Sequence, residues 1–137
     1  MRFENTESHM WVALGFAILG FTIPLAAYGS HGLNPKMQDQ WATGVEYLRL
    51  AGIGIALMSL VRLSCNIVLQ ARWPERLVFI GCLMFSGMLL AECTPLGELS
   101  VMQSLGWIAP GGAILMTIGM LLFGFELFRK TAMKPSS

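Results

Sequence analysis

Polar and apolar residues are sharply segregated along this chain. From Met10 to Pro35 there is no Asp, Glu, Lys or Arg, and Leu99 to Phe125 is a second uncharged run. Between them lie Leu50–Val61, continued to Leu69 past Arg62, and Leu77–Ala91. A hydrocarbon layer about 30 Å thick is crossed by about 20 residues of helix. The pattern therefore predicts four transmembrane helices, at about 10–30, 46–69, 76–94 and 105–128. The segment Met37–Arg49 mixes the two classes, with Trp41, Val45 and Leu48 recurring at steps of 4 and 3. It reads as a short interfacial helical stretch between helices 1 and 2, with Trp41 and Tyr47 at headgroup level. The expected fold is all-α: a single transmembrane domain over residues 1–137, built as an integral membrane four-helix bundle.

Composition agrees. Of 137 residues, 55% are hydrophobic and 12% charged, and mean hydropathy is +0.62. Soluble domains carry about 25% charged residues, so a cytoplasmic globular enzyme is excluded. A net charge of +1 supplies no basic field for nucleic acid. The flank Arg2, Glu4, Glu7 is not the basic leader of a signal peptide, so the first apolar run is expected to stay in the mature chain.

Basic residues in short connections set orientation. The N-terminal tail, second loop and C-terminal tail carry Arg2, Arg72, Arg76, Arg129, Lys130 and Lys134, against Lys36 and Arg49 on the other side. Both termini are expected to be cytoplasmic.

Small residues allow close helix approach in lipid. Gly52 and Ala56, Gly87 and Ala91, Ala109 and Ala113, and the pair Gly112 and Gly119 are spaced for such contacts.

The scarce polar groups need reasons. Ser59, Arg62 and Asn66 share one side of helix 2, a candidate contact to a partner subunit or to lipid headgroups, with Glu126 as an internal mate. Glu46, Arg49 and Glu92 form a candidate structural cluster in which Arg49 pairs with one or both acids. His9 and His31 are 22 residues apart, about 33 Å along a helix, so they cannot share a haem or a metal within one chain. Cys65, Cys82 and Cys93 show no metal spacing, and the ten methionines do not cluster. No catalytic constellation and no phosphate-cradling loop is present, so neither an enzyme nor a cofactor is expected.

Several short motifs together resemble a family of small bacterial inner-membrane proteins, domain of unknown function 423, similar to eukaryotic transmembrane protein 256. The motifs are Gly29-Ser30-His31-Gly32-Leu33, Thr43-Gly44-Val45-Glu46-Tyr47, Phe85-Ser86-Gly87, and Leu105-Gly106 with Pro110 and Gly112. Their order and spacing agree over about residues 10–128. The resemblance implies four transmembrane helices and no established activity. Ala51 stands where the family usually has histidine, Ala109 where it has threonine, and Ala113 where it has a second glycine.

Three functions compete. The first is a non-catalytic accessory or assembly subunit of a larger inner-membrane complex, whose partners are the bilayer and other subunits or a second copy. The second is a small homo-oligomeric transporter or channel, against which stands the uncharged helix 1. The third is a quinone- or haem-binding subunit.

Overall fold

The computed structural model describes residues 2–65, 72–95 and 104–132. Four helices account for nearly all of them: α1 (Arg2–Gly32), α2 (Pro35–Cys65), α3 (Trp73–Glu92) and α4 (Ile108–Ala132). Each is long and apolar enough to cross a membrane, and the chain is a multi-pass membrane protein. Pro24 lies inside α1. Pro74 occupies the first turn of α3, where its missing N–H breaks no helical bond.

One boundary differs from the sequence pattern. The stretch Met37–Arg49 is not a separate interfacial helix but the first half of α2, which runs unbroken for 31 residues. Its mixed composition has a packing cause. Trp41, Val45, Leu48 and Gly52 repeat at 4 and 3 along the side toward α1, where Trp41 and Val45 meet Leu25 and Ala26. A second seam, Gln40, Gly44, Tyr47, Ala51, Ile55, Met58 and Arg62, faces α3 and the core it shares with α4. A helix with two buried seams carries no single polar face.

α1 packs along α2 and α3 along α4, while the α2–α3 contact joins the two hairpins. Backbones meet at glycine in both hairpins. A Cβ on Gly15 would lie 2.7 Å from the Gly52 carbonyl oxygen and 2.9 Å from the Ala56 Cβ. One on Gly81 would lie 2.5 Å from the Gly112 oxygen, and one on Gly119 would lie 2.7 Å from the Pro74 oxygen. Gly52, Ala56, Gly112 and Gly119 thus make contacts inside the chain, whereas Gly87 faces open space. The buried core comprises Ala51, Ile55, Met58, Val78, Cys82, Met116 and Phe123. Trp73 and Trp107 stand exposed at opposite ends of the bundle, as belt tryptophans do.

Candidate functional site

The α2 seam that faces α3 is apolar in the middle and polar at its two extremities, Gln40 and Arg62. Each extremity meets an acid near one end of α3.

At the end where α1 and α3 begin, Arg62 continues the buried stripe of Ala51, Ile55 and Ser59, each on the face set by steps of 3 and 4. Its side chain is 4% exposed and that of Glu75 is fully buried. Arg62 Nε donates to Glu75 Oε1 and Nη2 to Oε2 at 3.0 Å, a fork of two parallel charge-assisted bonds. Glu75 sits in the first turn of α3, where the helix dipole favours a carboxylate. The Phe123 ring of α4 lies 5.3 Å from the Arg62 guanidinium carbon, within cation–π range. Glu126, also on α4, brings Oε2 to 3.9 Å from Arg62 Nη2.

Arg72, which caps α3, extends the network to α1. Its Nη1 is 4.0 Å from Glu75 Oε1 and its Nε 3.5 Å from Glu7 Oε2, and Nη2 donates to the buried Ser8 hydroxyl. Two guanidinium groups and three carboxylates, drawn from all four helices or their caps, thus converge at one end. An uncompensated charge there would cost several kcal/mol, about what a close, doubly bonded partner offsets.

This corrects the sequence expectation for Ser59 and Arg62. Neither faces lipid or a partner: Ser59 is fully buried and Arg62 is 5% exposed. Glu126 is a near neighbour of Arg62, but the principal mate is Glu75. Asn66 lies outside the described residues. The missed residues are Glu7, Ser8, Arg72 and Glu75. A signal existed: of the eight acids in the chain, Glu75 and Glu126 are the two next to the helix ends that meet Arg62.

At the opposite end the contacts are neutral or singly charged. Gln40 Nε2 donates to Glu92 Oε2, and the Trp41 indole donates to the Leu25 carbonyl at 2.7 Å. Tyr28 lies against the Trp41 ring with centroids 5.3 Å apart, and Tyr47 against Phe85 at 4.5 Å. Gly29 is required here, since a Cβ would strike the Trp41 ring. The Cys93 thiol points at the Met37 carbonyl oxygen, 3.7 Å away. Burial, and secondarily the Glu92 carboxylate, push this thiol above its ordinary pKa.

The expected cluster of Glu46, Arg49 and Glu92 is not assembled. Gln40 and Arg49 are nine residues apart, about 180° around a helix, so Glu92, held at Gln40, lies across α2 from Arg49. Among the described residues no ion pair within 4.0 Å joins Arg49 to Glu46 or Glu92. Glu46 and Arg49 instead line an open groove of about 570 Å³ between α1 and α2.

Of the remaining motif residues, His31, Gly32 and Pro110 are exposed, Ser86 is buried beside Cys82, and Gly112 contacts α3. No three His, Cys, Asp or Glu side chains among the described residues are grouped to hold a metal.

Residues 25–113 match the family model described as "Protein of unknown function (DUF423)". A UPF0382 membrane protein of Staphylococcus haemolyticus is 27% identical, covering 88% of this chain and 96% of its own. One from Schizosaccharomyces pombe is 32% identical over 72% of this chain and 84% of its own. A third, YwdK of Bacillus subtilis, is 33% identical over 69% and 85%. No solved structure matches the chain.

Proposed function

The chain belongs to the DUF423 family of membrane proteins, and from that premise we propose that it is a non-catalytic accessory or assembly subunit of a larger complex in the cytoplasmic membrane, with both termini cytoplasmic. The observation that carries this reading is the outer face of α1. Ala13, Ala17, Gly20, Pro24 and Ala27 follow one another at steps of 4, 3, 4 and 3, and all five are exposed. A Cβ on Gly20 would meet nothing. Only 11% of the most apolar window of α1 is buried, against 44% in α2.

Lipid tails fill space around large side chains as well as another helix does. A seam of small residues offers something lipid does not use, the close approach of a second backbone. The outer face of α4 differs, being built from Ile114, Ile118, Leu121, Phe125 and Phe128, as suits contact with acyl chains. The charged groups near Arg62 are engaged within the chain, which leaves apolar packing along α1 as the mode of association.

The test is photo-cross-linking in native membranes through a benzophenone side chain placed at Ala17, which inserts into a neighbouring C–H bond. The expected product is one discrete band of defined partner mass, absent when the benzophenone is placed at Leu121. A chain that stays monomeric at both positions and migrates alone in gentle detergent refutes the reading. A band at twice the chain mass identifies the partner as a second copy. A reporter fused after Ser137 that reads as external refutes the orientation.

A further inference from the structure

The groove between the last turns of α1 and the first half of α2 has a composition that the subunit reading does not absorb. Gly29 and Ser30 form one wall, and Asp39, Ala42, Glu46 and Arg49 the other. It is wide open, about 570 Å³ in volume, and its floor is the buried Trp41 ring, whose indole N–H is already taken by Leu25. Three ionisable side chains border it, all exposed, with no ion pair among the described residues.

Depth identifies the environment. From Pro35 to Ser64 α2 is 30 residues long, about 45 Å, so some 15 Å of it projects beyond a hydrocarbon layer about 30 Å thick. With the projecting part at the Pro35 end, Asp39 lies among the headgroups, and Glu46 and Arg49 lie about 2 and 6 Å inside the hydrocarbon edge, from which exposed charged side chains reach back to headgroups.

The geometry points to a binding site for the headgroup of a zwitterionic phospholipid that carries a primary ammonium, an ethanolamine phosphate diester. Glu46 and Arg49 are one turn apart, about 4.5 Å of rise, and they present opposite charges to the same groove. An ethanolamine phosphate places an ammonium and a phosphate two carbons and one oxygen apart, matching that spacing. Arg49 supplies a planar fork for the phosphate oxygens. Glu46, seconded by Asp39 two turns away on the same face, accepts from the ammonium. The Ser30 hydroxyl donates to the Ala26 carbonyl, so its lone pairs remain to accept a further ammonium proton.

The chemistry discriminates among lipids. A choline headgroup cannot donate hydrogen bonds to the two carboxylates. A glycerol headgroup gives Arg49 its phosphate but leaves Asp39 and Glu46 without a cation. The site adjoins the end of the α1 seam, where Ser30 follows Ala27 by three residues, but its selectivity rests on the charges of α2 and not on the seam.

Native mass spectrometry of the full chain in detergent tests this, with dioleoyl phosphatidylethanolamine, phosphatidylcholine and phosphatidylglycerol added at equal concentration. The wild-type protein is expected to retain one ethanolamine lipid in preference to the other two. Arg49→Gln, or Asp39→Asn with Glu46→Gln, should weaken that adduct about tenfold, the scale of one lost charge-assisted bond. Both variants alter exposed side chains, so unchanged helicity and elution volume verify the fold. Ala42→Trp, which fills the groove without touching a charge, should abolish the adduct. Equal retention of the three lipids, or an adduct indifferent to Arg49→Gln and Ala42→Trp, overturns the site. Preference for phosphatidylglycerol, lost in Arg49→Gln but not in the acid variant, likewise overturns it, leaving only an anion contact.

Discussion

α3 is fastened to α2 at both ends, and the two fastenings are made of different material. At one end Glu75 takes a two-pronged grip from Arg62, supported by Arg72, Glu7 and Glu126. At the other, Glu92 accepts from one neutral amide, Gln40, while the Tyr47–Phe85 ring contact and the close approach of Gly44 to Leu89 and Leu90 supply the rest. Burial accounts for the difference. Arg62 and Glu75 are withdrawn from water, where a charge needs its full complement of partners. Glu92 is half-buried, so water can complete its shell, and nearby Asp39, Glu46 and Arg49 stay exposed. Closed electrostatics hold one end, and the other is left open enough to receive something.

The sharpest way to break this comparison is Glu75→Ala. Stranding Arg62 should lower unfolding stability by about 3–5 kcal/mol, read from a denaturant titration in micelles. The double variant Arg62→Met, Glu75→Leu should recover most of that loss, because apolar replacement of a buried pair is often nearly neutral. A Glu75→Ala variant that leaves stability untouched would show the grip to be ornamental.

A smaller loss belongs to the aromatic end. Gly29→Ala forces the Trp41 ring aside and should cost about 1–3 kcal/mol, as overpacking does, with a shift in tryptophan emission. Trp41→Phe keeps the ring contact but removes the donor to Leu25, and should cost about 0.5–1.5 kcal/mol. A loss matching that of Glu75→Ala would erase the distinction between the ends.

The mildest effect is on reactivity. With its pKa raised by burial and by Glu92, Cys93 carries less thiolate at neutral pH than a free cysteine, whose pKa is about 8.5. Alkylation should be slower than for a cysteine placed at exposed Thr43, and should accelerate as pH rises. Glu92→Gln removes the carboxylate's contribution and should speed it modestly. Labelling as fast as at position 43 would contradict the buried setting.

The four spans were legible because uncharged runs of the required length have few other uses in so short a chain. The continuity of α2 was not. Its second seam is visible only once α3 is in place, and without it Gln40, Gly44 and Tyr47 look like the polar side of a surface helix. The glycine contacts at Gly52 and Gly112 follow from spacing, whereas Gly87 has the spacing of Gly52 and a Cβ on it would meet nothing within 4 Å. Spacing sets a face but not the direction it points. The error at Arg62 has the same origin: its stripe was identified correctly, and the side on which that stripe lies depends on the rotation of α2. The pairing of Arg49 with Glu46 or Glu92 rests on one helix turn and on membrane level, and neither shows that Glu92, held at Gln40, lies a half-turn of α2 away from Arg49.

The Arg62–Glu75 pair has a temporal side as well. Glu75 follows Arg62 by thirteen residues and lies in the other hairpin. A chain made from its N-terminus therefore delivers the guanidinium to the membrane ahead of its carboxylate. The first hairpin cannot settle its own charge, and only arrival of α3 in the correct register does so. The bond that joins the halves thus also reports, during biogenesis, that the second half has been laid down in its proper place.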